Sequence, residues 1–258
     1  MSEPVLTAST AARARAPAPA ELRLEVLGGF RLRVGGRLVV LPTHARRVLA
    51  YLSVCPGADA GCSRVTVVDR LWPESDVVHA RASLRTALWR IGRADRRLVT
   101  VHQDGLRLGD PVHVDLHRAL AQASRLNRAD APLQAGDCSV APLSGELLPG
   151  WDEDWLLLER ERIQQLRLHA LEALSHRLRR LSRYSEAVDA AITAIAIEPL
   201  RESARSALIA AHLAEGNVAA ARTQLDSYAA LLWTELAIRP SPAIAALAAG
   251  RLAPVGPR

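Results

Sequence analysis

Residues 79–97 read HARASLRTALWRIGRADRR, and this stretch combines six arginines and one tryptophan with the spacing of an amphipathic helix. Leu84, Leu88 and Ile91 lie four and three residues apart, so they share one face of that helix. The other face carries polar, aromatic and basic residues: Arg85, Thr86, Trp89, Arg93, Arg96 and Arg97. The planar guanidinium of arginine matches phosphate oxygens and the edge of guanine. The stretch therefore predicts a helix that contacts DNA, with a solvated surface helix as the alternative.

Short strands are expected before this helix. Apolar and charged residues alternate over 22–26 and again over 30–34, and two glycines separate the runs. A second glycine pair, Gly35 and Gly36, then turns the chain into a third run, 37–41. Alternation with a period of two and turns rich in glycine are typical of antiparallel strands. The segment therefore predicts three such strands.

Two further helices are expected between the strands and the arginine-rich stretch. The first has an apolar face from Ala45 to Leu52 and stops at Pro56. The second starts at Ser63, whose hydroxyl is a suitable N-cap, and ends before Pro73. After the arginine-rich helix, an Asp-Gly pair at position 104 predicts a hairpin. Three strands, three helices and a closing hairpin predict a winged helix-turn-helix over residues 21–114.

The second half of the chain reads as helical. Asp115 is expected to cap a helix over 116–126, and a segment rich in proline and glycine, 128–150, follows it. The segments 182–187 and 216–221 are offset by 34 residues, and each places a turn before small residues. Because 34 residues is the tetratricopeptide period, residues 115–250 predict an all-α domain of stacked helical hairpins, with an unrelated bundle as the alternative.

The formal charge of +6 is concentrated in the first 110 residues, which carry +7, whereas the rest of the chain carries −1. A basic half is typical of proteins that bind a polyanion. The terminal segments, 1–20 and 251–258, are expected to be a disordered arm and a flexible tail. No stretch resembles a signal peptide or a membrane span, so we expect a cytoplasmic protein with no membrane contact.

Composition and motifs also argue against catalysis. The chain has no lysine, which excludes a Walker-type phosphate loop, and it has no GxSxG or HExxH motif. Its three cysteines form no CxxC pair, so we expect reduced thiols with neither a disulfide framework nor a zinc site. His113 and His117 lie four residues apart but lack a third ligand. The sequence predicts no enzyme activity, no cofactor and no metal.

The candidate DNA-binding residues lie on the arginine-rich helix, at the start of the second helix and on the hairpin. They are Ser63, Arg64, Arg81, Arg85, Thr86, Trp89, Arg90, Arg93 and Arg107. A helix N-terminus attracts phosphate, so Ser63 and Arg64 are phosphate candidates, although Ser63 also serves as a plain cap. Arg107 is expected to reach the minor groove, or else to be an exposed strand residue. The tip of the hairpin comprises His102, Gln103 and Asp104.

An acidic and aromatic cluster, residues 151–155, opens the next long helix. The helix dipole accounts for the acidic residues and packing accounts for the tryptophans. We therefore expect a structural role for this cluster, with docking of a partner as the alternative.

The chain resembles the actinobacterial antibiotic regulatory proteins, in which a winged helix-turn-helix precedes a bacterial transcriptional activator domain. In the first half the matching strings are LRLEVLGGFRLRVGG, DRLWPES, ARASLRTALWRI and VHVDLHRAL. In the second half they are GELLPGWDEDWLLLERERIQQLRLHALEAL, EPLRESARSALIAAHLAEGN and ELAIRPSPAI. The resemblance covers residues 22 to about 249.

The resemblance implies a pathway-specific activator of secondary metabolism. Such a protein would bind tandem repeats in double-stranded promoter DNA, place its third helix in the major groove and recruit RNA polymerase holoenzyme. Whether it forms a homodimer on DNA is left open. The alternative is a tetratricopeptide-like adaptor that binds proteins and uses the winged helix as a docking module.

Two departures from the family pattern matter. The ATPase and sensor regions of longer relatives, and a receiver domain before the winged helix, are not expected here. Gly92 costs a helix about 1 kcal/mol relative to alanine, and Asp95 follows closely. We therefore expect the arginine-rich helix to end early, with Arg96 and Arg97 in the following turn.

Overall fold

The computed structural model describes residues 20–55, 61–102, 105–128 and 130–249. Most of the predicted N-terminal arm, the predicted tail and the hairpin residues Gln103 and Asp104 therefore lie outside the described residues.

Within the described ranges, the first half contains seven strands and three helices. They are β1 (Leu22–Glu25), β2 (Arg31–Val34), β3 (Arg37–Val39), α1 (Thr43–Val54), β4 (Cys62–Ser63), α2 (Arg64–Leu71), α3 (Val77–Ala94), β5 (Val99–His102), β6 (Gly105–Leu108) and β7 (Val112–Val114). One sheet has the order β3-β2-β1-β7, in which β7 is parallel to β1 and the other pairs are antiparallel. The second sheet has the order β4-β6-β5 and contains the predicted hairpin.

The second half is helical. It contains α4 (Asp115–Asn127), a 3-10 turn (Ala135–Cys138), α5 (Ala141–Ser144), α6 (Asp154–Arg180), α7 (Tyr184–Ile197), α8 (Glu202–Glu215), α9 (Val218–Leu236) and α10 (Pro242–Ala249). The two segments offset by 34 residues form the turns from α6 to α7 and from α8 to α9. Ala187 and Ala221, which follow these turns, are 0% and 1% exposed and allow the helices to approach closely. The predicted fold class, a winged helix-turn-helix followed by helical hairpins, is confirmed.

The periodic apolar residues form the core of the first half. Leu22, Leu24 and Leu32 point inward from β1 and β2, and Val48 and Leu49 of α1 pack on them, all at most 1% exposed. This is the inward face that the two-residue alternation predicts. The sheet therefore supports α1, against which α3 packs.

The same core extends into the helical half. Leu147, Leu148, Trp155 and Leu156 are buried in it, and a bridge joins Leu147 to Leu27 next to β1. Apolar side chains of both halves therefore pack in one core. The predicted domain boundary at residues 114–115 stays a prediction.

Asp115 does not cap α4 in the way expected. The N-cap is Val114, which makes no side-chain cap hydrogen bond. The Asp115 carboxylate accepts hydrogen bonds from the backbone N–H of Val26 (2.9 Å), Leu27 (3.0 Å) and Leu116 (2.7 Å). Burial raises the pKa of this carboxyl above its usual range. The Asp115 carboxylate therefore links the end of β1 to the start of α4. The two lie close together because β7, which directly precedes α4, pairs with β1.

The cysteines also differ from expectation. The sulfur atoms of Cys55 and Cys62 form a disulfide, and Cys138 is free. The prediction of three reduced thiols is therefore wrong for two of them. Cys55 follows α1 and Cys62 lies in β4, which pairs with β6. Pairing with a distant strand places the two cysteines side by side, and no local spacing signals it.

We expect Asp137→Asn to lower the free energy of unfolding by about 2 kcal/mol at neutral pH, because a charged hydrogen-bond acceptor is removed. The Asp137 side chain is 2% exposed and accepts from the Arg125 guanidinium at 2.7 Å, which lowers the pKa of that carboxyl below its ordinary value of 3.8. A lowered pKa stabilises the folded state above 3.8, and this contribution disappears as the pH falls through the folded-state value. Urea unfolding of both proteins should show the difference shrinking below pH 3.8. A difference that persists unchanged in acid would contradict the role of this ion pair.

Candidate nucleic-acid interface

The arginine-rich helix α3 begins two residues earlier than expected. Asp76 is its N-cap, and the carboxylate accepts hydrogen bonds from the N–H of Val78 (3.0 Å) and His79 (3.1 Å). Capping satisfies donors that a helix leaves unpaired in its first turn. The buried face consists of Ala80, Leu84, Ala87 and Ile91. The helix is therefore fixed at its start by a cap and along its length by the core.

The helix ends at Ala94, as the glycine and aspartate near its end predict. The next residue, Asp95, has an extended backbone and accepts hydrogen bonds from the backbone and the guanidinium of Arg97. Arg97 also donates to the carbonyl of Ala20. The expectation that Arg96 and Arg97 lie in the following turn is confirmed, and Arg97 stabilises that turn.

The predicted DNA-contacting face of α3 is exposed to solvent. The exposed residues are Arg81, Arg85, Thr86, Trp89, Arg90 and Arg93. Among the described residues, no carboxylate lies within ion-pair distance of the four arginines on this face. Uncompensated guanidinium groups on one helix face create a local positive potential. The face can therefore accept a polyanion without first breaking internal ion pairs.

Trp89 organises two of these arginines. Its side chain is 53% exposed, and the guanidinium carbons of Arg90 and Arg93 lie 4.9 Å and 5.3 Å from the ring centroid. These distances are in the range of cation–π contacts. A guanidinium above a ring keeps its N–H edges available. The Trp89 ring therefore restricts the conformations of the Arg90 and Arg93 side chains and leaves their N–H groups free to donate hydrogen bonds.

Ser63 caps α2. Its hydroxyl accepts a hydrogen bond from the N–H of Thr66 at 3.0 Å and lies 2.8 Å from the Thr66 hydroxyl. Ser63 is exposed and Arg64 is half-buried. Ser63 also belongs to β4, where it pairs with Gly105 of the hairpin. The N-terminus of α2 is therefore held beside the hairpin strands.

Arg107 lies on β6 opposite Thr100 and forms an ion pair with Asp110. Its side chain is 29% exposed. A DNA contact by Arg107 would require it to share or leave this pair, and such a contact remains a prediction.

Sequence reasoning missed the first turn of α3, because the helix was expected to start at His79. Val77 and Val78 are 55% and 74% exposed there, and the His79 ring pairs with Asp76. The available signal was Asp76 itself, a favourable N-cap residue just before the helical segment.

The acidic and aromatic cluster at residues 151–155 takes part in packing. Glu153 accepts hydrogen bonds from Arg47 (2.8 Å) and from the indole N–H of Trp155 (3.0 Å). The Trp155 ring meets the Tyr51 ring edge-on, with 5.2 Å between the centroids. The Trp151 ring stacks on Phe30, the residue that precedes β2. These contacts support the structural interpretation of the cluster.

Within the described ranges, no group of histidine, cysteine and carboxylate side chains could hold a metal ion. None of the described helices combines the length and the apolar character that crossing a bilayer requires.

Comparison with known proteins identifies the family. The model of the bacterial transcriptional activator domain matches residues 112–250, more than half of the chain. No curated protein matches the chain significantly. Among solved structures, the chain is similar to Mycobacterium tuberculosis EmbR in complex with a low affinity phosphopeptide, with 22% sequence identity and a TM-score of 0.68.

The aligned region covers 90% of this chain and 65% of that chain. The likeness shows a shared fold, and this chain spans less than two thirds of the EmbR chain. The family match confirms the resemblance to the actinobacterial antibiotic regulatory proteins. The chain belongs to the bacterial transcriptional activator domain family, a family of transcription regulators.

Proposed function

We propose that this protein is a sequence-specific transcriptional activator that reads promoter repeats with α3 in the major groove and recruits RNA polymerase holoenzyme. The observation that carries the proposal is the exposed basic face of α3, whose arginines have no carboxylate partner among the described residues. Membership of the activator-domain family supports the regulatory part of the proposal. The protein would act in the cytoplasm, where promoter DNA is accessible.

The dimensions of α3 suit this role. Its 18 residues span about 27 Å at 1.5 Å per residue, and the major groove of about 12 Å admits one helix. In helix-turn-helix proteins the N-terminal part of the recognition helix is nearest the bases. Arg81, Arg85 and Thr86 would then contact base edges, and Arg90 and Arg93 would contact the phosphates that flank them.

The N-terminus of α2 would bind a phosphate, and Ser63→Asp tests this contact. Aspartate caps a helix as well as serine, so we expect stability to change by less than about 0.5 kcal/mol. A carboxylate at this position would repel the phosphate and lower DNA affinity about tenfold. The measurement is fluorescence anisotropy with a promoter fragment, alongside thermal unfolding.

The control is Ser63→Ala, which removes the cap. It should lower stability by about 1 kcal/mol and have a smaller effect on affinity than Ser63→Asp. Equal affinity of wild type and Ser63→Asp would show that no phosphate lies at this helix end.

The helical half would supply contacts to RNA polymerase or between protomers. Its stacked hairpins resemble repeat proteins that bind other proteins, which is the basis of the adaptor alternative. An adaptor would show no affinity for duplex DNA at moderate salt.

Salt dependence and footprinting together test the proposal. We expect the logarithm of the DNA-binding constant to fall with the logarithm of salt concentration, with a slope of about −0.9 per neutralised phosphate. Footprinting on the region upstream of the protein's own gene cluster should show protected repeats. Binding with no salt dependence and no protected sequence would contradict a DNA-reading function.

A further inference from the structure

We infer that the cleft between the outer face of the first sheet and the start of the helical half binds a small organic carboxylate with an apolar body. The cleft has a volume of about 840 Å³, within the range of pockets that hold small ligands. Strands β1 and β7 form one wall, and α4 with the segment around α5 forms the other. The inference goes beyond the proposed function, because it concerns a small molecule and does not depend on DNA.

The first wall is the solvent-facing side of the sheet. Arg23 and His113 lie opposite each other on β1 and β7 and are exposed, whereas their neighbours along each strand point into the core. Glu21 forms an ion pair with Arg23 at 2.7 Å. Glu25 forms another with Arg31 at 2.5 Å. This wall is therefore polar, and its carboxylates already have arginine partners.

Arg118 supplies the positive charge that an anion needs. It lies in the first turn of α4, is exposed and lines the cleft. Within the described part of the chain, its guanidinium has neither an ion pair nor a hydrogen bond. The nearby Asp115 carboxylate is instead bound by three backbone N–H groups. A guanidinium without an internal partner can form two parallel hydrogen bonds to the carboxylate of a ligand.

His117 adds a polar group whose orientation is fixed. Its Nε2 atom lies 2.8 Å from the carbonyl oxygen of Ser53. Because a carbonyl oxygen can only accept, the Nε2–H donates, and this bond holds the ring in place beside the cleft. The Nδ1 atom then accepts a hydrogen bond when the ring is neutral. The cleft therefore offers a second anchor for a polar group of the ligand.

The second wall is apolar and held in place by backbone contacts. Its apolar residues come from the segment after β1 and from α5: Leu27, Ala141 and Pro142. Gly145 packs so closely that a Cβ atom there would lie 2.9 Å from the Leu27 Cβ. Two backbone hydrogen bonds, of 2.7 Å and 2.8 Å, join residues 26 and 28 to residues 146 and 148. The wall is therefore already formed before a ligand enters.

The two walls together select the class of ligand. A nucleotide or another polyphosphate would place several negative charges beside Glu21 and Glu25, which repel them. A purely apolar molecule would not use the Arg118 guanidinium. A single carboxylate bound by Arg118, with an apolar body against Leu27 and Pro142, matches both walls. Apolar lining with a few well-placed polar groups is typical of small-molecule sites.

The test is the binding of two fluorescent probes, dansylglycine and dansylamide, to the full chain without DNA. The probes share an apolar naphthalene body, and only dansylglycine has a carboxylate. We expect dansylglycine to bind saturably at one site, with a dissociation constant on the order of 100 µM. Dansylamide should bind about tenfold more weakly, because it forms no charge-assisted hydrogen bond with Arg118.

Two variants locate the site. Arg118→Gln should weaken dansylglycine binding about tenfold and leave dansylamide binding unchanged, because only the carboxylate loses its partner. Ala141→Trp places a ring in the cleft and should abolish the binding of both probes. Arg180→Gln is the matched control, since it removes the same charge from an exposed position on α6 outside the cleft. Circular dichroism verifies that each variant is folded.

Three results would overturn the inference. The first is a wild-type chain that shows no saturable binding of dansylglycine up to about 1 mM. The second is equal affinity of Arg118→Gln and Arg180→Gln for dansylglycine, or equal affinity of the wild type for both probes, since the carboxylate is then not recognised. The third is unchanged binding to Ala141→Trp, which would place the probe on another surface.

Discussion

Replacing Arg85 and Arg93 together by alanine is expected to weaken specific binding to promoter DNA by at least roughly 30-fold, because removing each arginine costs about 1–3 kcal/mol of binding energy and 1.4 kcal/mol is a factor of ten. Both side chains are exposed on α3, and neither has a carboxylate partner among the described residues. Their removal leaves the buried face of the helix intact. The thermal midpoint should therefore change by less than about 2 °C.

The measurement is a titration of a labelled promoter fragment at several salt concentrations. The salt slope should become shallower by about 0.9 for each phosphate that the variant no longer neutralises. Arg180→Ala with Arg222→Ala is the matched control, because it removes the same charge from exposed positions in the helical half. If the two double variants bind the fragment equally well, α3 is not the DNA-reading helix.

Trp155→Ala is expected to lower the free energy of unfolding by about 3 kcal/mol, the usual cost of removing a buried aromatic side chain. Trp155 is 9% exposed and packs edge-on against Tyr51 of α1, although it belongs to α6. Its indole N–H donates to Glu153, which also accepts from Arg47. The substitution therefore opens a cavity in the core that the two halves share.

Urea unfolding followed by circular dichroism measures this effect. Because both halves contribute to one core, the transition should shift as a single step. Trp89→Ala is the matched control, since its ring is 53% exposed, and it should change stability by less than about 0.5 kcal/mol. A Trp155→Ala protein as stable as Trp89→Ala would show that the halves do not stabilise each other through this residue.

Local pattern was sufficient for most secondary structure. The apolar steps of four and three residues predicted the buried face of α3, and Ser63 is the N-cap of α2 as expected. The 34-residue offset predicted the helical hairpins, because tight turns before small residues are needed where helices pack closely. These features depend on neighbours within one or two turns of chain, which a sequence records directly.

Apart from the start of α3, whose N-cap Asp76 was overlooked, the errors involve segments that are distant in the chain. Asp115 was expected to cap its own helix, but its carboxylate binds the N–H groups of Val26 and Leu27 across the sheet. Cys55 and Cys62 were expected to be reduced thiols, but β4 pairs with β6 and places them together. Neither contact produces a periodic pattern in the sequence, because each depends on the pairing of strands that are far apart in the chain.

The sequence by itself determined which faces are apolar, where the helices begin and end to within a few residues, and that one helix is densely basic. The tertiary structure decided which charges are compensated. It paired Arg47 of α1 with Glu153, which lies 106 positions later in the chain and immediately before α6, and it left the arginines of α3 without carboxylate partners among the described residues. The physical reason is that periodicity follows from local backbone geometry, whereas charge pairing and shared cores depend on distances that only folding establishes.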